Sequence, residues 1–274
     1  MESIEKTVQN RSEGVEKLMR LGFAAKGVIY VTIGLLALQA AFGLGGQTTG
    51  SRGALVEIAS QPLGQVLLGI VAVGLLGLTL WYIARGVPDI EGKGDDPRGL
   101  AKRAGAIGSG VGYALLAVFA FQILLGSSGG GDGPSKSDWT ATLMEVPWGR
   151  WLVGLVGLVV IGTGLFQFYR AYQAKFREKI NSSEMSGAES EWGTRAGQFG
   201  IVARGVVVII IGVFLVNAAW QYDPQEAGGL GQALETLAQQ PYGAWVLGVV
   251  AAGLIAYGLF AGLILARYRQ IPIG

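Results

Sequence analysis

Residues 21–42 read LGFAAKGVIYVTIGLLALQAAF, and residues 199–220 read FGIVARGVVVIIIGVFLVNAAW. Both stretches are almost unbroken apolar sequence, and both reach the length of about 20 residues that an α-helix needs to cross a bilayer. They align at an offset of 178 positions. The aligned positions share glycines, one basic residue and one amide: Gly22 with Gly200, Lys26 with Arg204, Gly27 with Gly205, Gly34 with Gly212 and Gln39 with Asn217. A repeated membrane-spanning segment is therefore the first feature of this chain.

The whole chain has the composition of a membrane protein. Of its 274 residues, 51% are hydrophobic and only 15% are charged, whereas soluble domains carry about 25% charged residues. Six apolar runs are long enough to span a bilayer: 23–42, 66–83, 104–125, 151–169, 199–220 and 245–266. We therefore predict an all-α integral membrane protein with six transmembrane helices.

A Pro-x-Gly motif shows that the repeat occurs three times. It reads Pro62-Leu63-Gly64, Pro147-Trp148-Gly149 and Pro241-Tyr242-Gly243, each time at the start of an even-numbered apolar run. A weaker copy of the first half, with Ser109 in place of Lys26, lies at an offset of 83 positions. These matches predict one membrane domain over residues 1–274, with two-helix repeats at 20–88, 103–172 and 197–268 and a polar linker at 173–195. Because each repeat crosses the membrane twice, the three repeats are parallel.

The Pro-x-Gly motif is typical of a corner between two helices. Proline has no N–H to lose in the first helical turn, and glycine allows a close approach of the backbone. Segments with helical spacing precede the prolines: ALVEIASQ, ATLMEV and ALETLAQQ. We predict that they are short interfacial helices lying on the outer surface of the bilayer before the even-numbered spans. The motif itself is interpreted as structural.

Lys and Arg are distributed unevenly between the two sides of the predicted membrane domain. Of the 21 such residues, 18 lie in the amino-terminal segment, in the connectors after the second and fourth runs, or in the tail. The other three are Arg52, Lys136 and Arg150. Basic residues concentrate on the cytoplasmic side of membrane proteins, so both termini are predicted to be cytoplasmic.

The start RLGFAAKGVIY, followed by QPxG in the second half of the repeat, resembles an uncharacterised bacterial membrane family. That family is catalogued as a domain of unknown function, number twelve hundred and six, with three tandem two-helix repeats. The resemblance covers residues 20–268 and is weakest in the second repeat, where Ser109 replaces the basic residue and EVPWG replaces QPxG. It implies a multi-pass protein of the bacterial cytoplasmic (inner) membrane. The family has no established activity, so no catalytic residue is transferred.

Three amides at equivalent repeat positions form one candidate binding set. Gln39, Gln122 and Asn217 would lie at one depth, near the outer ends of their helices. They could converge on a pseudo-threefold axis and contact a solute. Interhelical hydrogen bonds and plain exposure at the interface are the alternative interpretations.

Two basic residues form a second candidate set. Lys26 and Arg204 lie near the inner ends of their predicted helices. Their side chains could extend to anionic headgroups at the membrane surface, or they could have a role in binding an anion or a lipid headgroup. Tyr257, Thr79 and Thr163 are interpreted as structural residues that bond to nearby backbone carbonyls.

Several function classes are disfavoured by composition. The chain has no His and no Cys, which removes thiol nucleophiles and Cys/His metal sites, and its net charge of +2 is too small to indicate nucleic-acid binding. We expect no enzyme activity, cofactor or metal. Two hypotheses remain: a structural, assembly or partner-binding membrane subunit, or a small-solute channel or carrier around a pseudo-threefold axis. The expected partners are membrane lipid and either another membrane protein or further copies of the chain.

Overall fold

The computed structural model describes residues 2–89, 92–126, 136–146, 148–181 and 185–268, so Pro147 and residues 182–184 of the linker lie outside the described residues. The helices are α1 (Glu2–Ala41), α2 (Ser51–Ser60), α3 (Gly64–Gly86), α4 (Pro97–Leu124), α5 (Lys136–Met144), α6 (Gly149–Tyr172), α7 (Gly187–Gln221), α8 (Leu230–Ala238) and α9 (Gly243–Leu259). A π-helical turn (Phe260–Leu265) continues α9 into α10 (Ala266–Tyr268). Within these ranges six helices are long and apolar enough to cross a membrane: α1, α3, α4, α6, α7 and α9 with its continuation. The predicted six-span, all-α membrane architecture is confirmed.

The six long helices form a ring that follows the repeats. The second helix of each repeat packs against the first helix of another: α3 on α4, α6 on α7, and α9 on α1. Within the first and third repeats the two helices also pack together, α1 on α3 and α7 on α9. Across the described residues of the middle repeat, α4 and α6 make at most marginal contact with each other. The ring is therefore open between α4 and α6.

The positions of glycines account for this opening. In the first repeat α1 and α3 cross where a Cβ on Gly22 would lie 2.8 Å from the carbonyl oxygen of Gly74. The third repeat has glycine at both equivalent positions and a similarly close crossing. In the middle repeat Val159 replaces the glycine equivalent to Gly74. A Cβ on Gly105, the residue equivalent to Gly22, would have no neighbour within 4 Å. Because transmembrane helices approach closely only where small residues face each other, the valine side chain is incompatible with the same crossing.

The short helices α2 and α8 pack on the half of the ring that contains the C-terminal end of α1; this half is called the outer half, after the predicted orientation. Leu55 of α2 and Leu234 of α8 are fully buried in the same apolar core as Ile33 of α1 and Leu254 of α9. The prediction of short helices before the even-numbered spans is confirmed, and the structure adds how two of them, α2 and α8, pack on the long helices. Their apolar faces are buried against the long helices, because the ring leaves an apolar space at its outer end that they fill.

The Pro-x-Gly corners have the same geometry in all three repeats. The middle residue has a left-handed backbone conformation, with φ of 62° at Leu63, 70° at Trp148 and 61° at Tyr242. The glycine N–H then donates to the carbonyl three residues earlier, at 2.7 Å from Gly64 to Gln61 and at 2.8 Å in each of the other repeats. A Cβ on Gly64, Gly149 or Gly243 would collide with a carbonyl oxygen of the preceding short helix. The glycine is therefore required by its close contact with that helix.

A basic cavity as candidate functional site

A cavity of about 210 Å³ lies inside the ring, towards the helix ends opposite α2 and α8. All six long helices, with the π-helical turn after α9, contribute to its lining. Four of the lining side chains are basic: Lys26, Arg85, Arg170 and Arg204. Three tyrosines, one serine and five apolar residues complete the lining, and none of the lining residues is acidic. The interior of the ring therefore presents a concentrated positive charge.

The repeat symmetry brings these basic residues together. Lys26 and Arg204 are equivalent residues of the first helices of repeats one and three, and the middle repeat contributes Ser109 at that position. Arg85 and Arg170 are equivalent residues of the second helices of repeats one and two. Equivalent positions on parallel repeats lie at the same membrane depth, so the charges converge on one level.

The cavity is well inside the predicted membrane thickness. Lys26 precedes Ala41, the last residue of α1, by four turns of helix, which places it roughly 22 Å from that end of α1 at about 1.5 Å per residue. The hydrocarbon core of a bilayer is about 30 Å thick. Basic residues at such a depth normally face a protein interior or a water-filled cavity, and these do.

Arg204 is held by side chains from two other helices. Its Nε donates to the hydroxyl of Tyr30 on α1 at 3.2 Å, and its Nη1 donates to Oε1 of Gln167 on α6 at 3.2 Å. Its guanidinium carbon also lies 5.3 Å from the ring centre of Tyr257. These contacts fix the guanidinium at the centre of the ring of helices.

Lys26 is buried against the same aromatic groups. Only 6% of its surface is exposed. Its Nζ lies 5.3 Å from the ring centre of Tyr257 and 5.9 Å from that of Tyr113. Lys26 and Arg204 therefore share Tyr257, and their charges are at most about twice its 5.3 Å contact distance apart. The interpretation that both side chains extend to surface headgroups is wrong, because both point into the cavity.

The tyrosines form two packed pairs around the cations. Tyr30 and Tyr257 pack edge to face with ring centres 4.8 Å apart, and Tyr82 and Tyr113 stack with ring centres 5.4 Å apart. Aromatic faces stabilise neighbouring cations by about 0.5–2 kcal/mol each. The rings thus keep the basic residues in place without neutralising them.

Like charges in a partly dry site repel each other. Two unit charges about 8 Å apart cost about 2 kcal/mol at an effective dielectric constant of about 20. An anion in the cavity would convert this repulsion into attraction. Arginine also presents a planar set of N–H donors that matches phosphate and carboxylate oxygens. The charge and the donors of the cavity are therefore complementary to an anion.

A second cavity, of about 230 Å³, continues from the first between α1 and α4. The two cavities share Lys26, Ser109 and Tyr113. Away from these residues the second cavity runs past Ile29 and Leu116 towards the start of α2. We call it the α1–α4 groove. Outside the shared residues its lining combines Ile29, Gly112 and Leu116 with Tyr30 and Ser51.

The predicted amide set lies elsewhere. Gln39, Gln122 and Asn217 are all exposed, and none of them lines the basic cavity or the α1–α4 groove. The geometry therefore favours exposure near the outer interface over convergence on a solute.

Sequence reasoning missed most of the cavity. Arg85 and Arg170 were assigned only to the excess of basic residues in the inner connectors, although both follow the motif proline at the same distance. Thr79 bonds to the carbonyl of Leu75 at 2.9 Å, as its structural interpretation predicts, whereas the sequence gives no indication that Tyr257 lines the cavity. The repeated spacing of the arginines was the signal that pointed to them.

The comparisons with known proteins agree with the repeat architecture. The model of a family described as Domain of Unknown Function (DUF1206) matches residues 21–89, 104–174 and 199–269. The chain belongs to this family. The predicted family and its three tandem repeats are confirmed. An uncharacterized protein of Bacillus subtilis (strain 168), YxxB, is 34% identical over 256 residues, which cover 93% of this chain and 92% of the relative. No solved structure matches the chain significantly.

Proposed function

We propose that this chain is an anion-binding membrane protein of the carrier type, and that the basic cavity is its binding site. The observation that supports this most is the convergence of four basic side chains, with no acidic residue, on one cavity. We place the protein in the bacterial cytoplasmic membrane with both termini cytoplasmic, because 18 of the 21 Lys and Arg residues lie on one side. The cavity then lies near the cytoplasmic side. Its role is binding, with no enzyme chemistry and no cofactor.

The packing of the ring supports a closed binding site better than an open channel. Tightly packed apolar residues, among them Ile33, Leu75 and Leu254, fill the outer half of the ring beneath α2 and α8. The inner half holds the basic cavity. Across most of the ring a solute bound there meets this packed core, whereas the α1–α4 groove extends to the start of α2, so transport would require α2 to move.

Titration of the purified protein in detergent with inorganic phosphate and with glycerol 3-phosphate tests the proposal. Calorimetry should detect saturable binding that weakens as sodium chloride is added. Arg204→Gln should weaken it by about tenfold or more, since a hydrogen bond to a charged group contributes about 1.5–3 kcal/mol. Arg195→Gln is the matched control, because Arg195 lies on the same helix with its side chain 79% exposed. Absence of saturable binding, or equal affinity in the two variants, would overturn the proposal.

A partner-binding subunit is the second candidate, and the middle repeat favours it. In α4 and in α6 only 17% of the most apolar 18-residue stretch is buried inside the protein. In the other four spans the buried share is 33–50%. Two helices with such exposed apolar surfaces could pack against another membrane protein or another copy of the chain. Native mass spectrometry from a mild detergent checks this. A stoichiometric protein partner lost in Val159→Arg would support it, and a lone chain would refute it.

A further inference from the structure

The opening between α4 and α6 leads towards the basic cavity. Ser109 and Tyr113 of α4 and Arg170 of α6 line the cavity, so both edges of the opening belong to helices that reach it. The membrane-facing parts of these helices are apolar and exposed, as at Val111 and Val159. Within a bilayer such an opening is accessible to lipid rather than to water.

The α1–α4 groove gives the site a second compartment of mixed character. One end contains Lys26, Ser109 and Tyr113, and the remainder is lined by Ile29, Gly112 and Leu116 together with Tyr30 and Ser51. A positive end joined to a partly apolar groove matches a molecule that has an anionic head and a hydrocarbon tail. A fully soluble anion would use only the basic end.

We infer that the basic cavity binds the phosphate headgroup of an anionic phospholipid, which reaches it sideways between α4 and α6 and places an acyl chain in the α1–α4 groove. This inference rests on the proposed function, because it names the class of anion. The basic residues supply the donors for the phosphate oxygens. Anionic lipids concentrate in the cytoplasmic leaflet, which is where the cavity lies in the proposed orientation.

The closure of the outer end supports a lipid over a solute that crosses the ring. Gly50 lies just before α2, and Gly231 lies in the first turn of α8. These two glycines approach each other closely above the apolar core. Lateral access needs no opening of this outer layer. The gap in the middle repeat alone provides the path.

Lipid retention in native mass spectra provides the test. The purified protein is mixed with micelles containing phosphatidylglycerol or phosphatidylcholine, and the bound fraction of each lipid is measured. We expect preferential retention of phosphatidylglycerol, reduced about tenfold or more by Arg204→Gln and largely restored by Arg204→Lys, because one charge-assisted hydrogen bond contributes at least about 1.4 kcal/mol. Gly112→Leu should reduce lipid retention by filling the groove. Its Cβ has no neighbour within 4 Å, so the variant should fold.

Gly69→Leu is the control for Gly112→Leu, since Gly69 lies in α3 and a Cβ there would also have open space around it.

Measurements with a soluble anion distinguish the lipid inference from the proposed anion-binding function. If glycerol 3-phosphate binds in an Arg204-dependent way, while phosphatidylglycerol is retained no better than phosphatidylcholine or is insensitive to Gly112→Leu, the anion site stands and the lipid inference fails. If no probe depends on Arg204, both proposals fail. A dimer that forms through α4 and α6 and excludes lipid also overturns the inference.

Discussion

Gly27 sets the distance between α1 and α9, and its substitution should separate these helices. A Cβ at this position would lie 2.6 Å from the Cα of Gly262 and 2.7 Å from the carbonyl oxygen of Gly258. Carbon atoms in contact normally lie about 3.5–4.0 Å apart, so Gly27→Ala requires the helices to separate by about 1 Å. Overpacking of this kind typically costs about 1–3 kcal/mol. The rigid backbone on both sides leaves no flexible side chain to absorb it.

The control for this prediction is Gly69→Ala, in a helix of similar composition. Gly69 has no neighbour within 4 Å of a Cβ, so alanine there should be neutral or slightly stabilising. Both variants gain the same helix propensity of about 1 kcal/mol, and the difference between them isolates the packing cost. Chemical denaturation in detergent micelles, followed by tryptophan fluorescence, measures that difference. Equal stabilities of Gly27→Ala and Gly69→Ala would refute the close approach of α1 and α9.

Three further substitutions test other parts of the fold. Gly243→Ala should destabilise the protein by more than about 2 kcal/mol relative to Gly69→Ala in the same denaturation assay, because its Cβ would collide with a carbonyl oxygen of α8. Arg103→Ala should cost about 1–3 kcal/mol of unfolding free energy, since Arg103 donates to the two carbonyls that end α3, whereas exposed Arg98→Ala should change little. The backbone N–H groups of Lys93 and Gly94 donate to the Asp89 carboxylate and hold its pKa below its usual range. The ionised carboxylate therefore stabilises the connection between α3 and α4 at neutral pH, and this contribution is lost as the pH falls through the lowered pKa. Asp89→Asn should therefore reduce the acid-induced fall in the thermal unfolding midpoint, and a fall equal to that of the parent chain would contradict this.

The position of the spans and the three repeats could be predicted because both depend on local patterns. Apolar runs of bilayer length leave few alternatives to a transmembrane helix. Corners at the Pro-x-Gly motifs and the short helices before them were predicted from local chemistry and spacing. The prediction that proline occupies the first helical turn is wrong for Pro62 and Pro241, because these helices begin at Gly64 and Gly243, after a left-handed middle residue. The packing of α2 and α8 on the long helices could not be predicted, because an amphipathic pattern is the same for a helix on a bilayer and for a helix on a protein core.

The candidate site was only partly predictable. Lys26 and Arg204 were identified from their equivalent positions, but the direction in which they point depends on the rotation of α1 and α7 within the ring. The amides had the same symmetry and lie at the exposed surface. Symmetry in sequence gives equal depth, whereas packing determines which side of a helix faces inward.

The sequence by itself determined six membrane-spanning helices, three parallel repeats and the asymmetry of charge between the two sides. These follow from hydrophobic length, from local turn chemistry and from the count of basic residues. Only the tertiary structure decided that the helices form a ring, that Val159 leaves it open in the middle repeat, and that four basic residues meet inside it. The physical reason is that a contact between helices depends on the residues of both partners at once, as at the crossing where the middle repeat has Val159 in place of glycine.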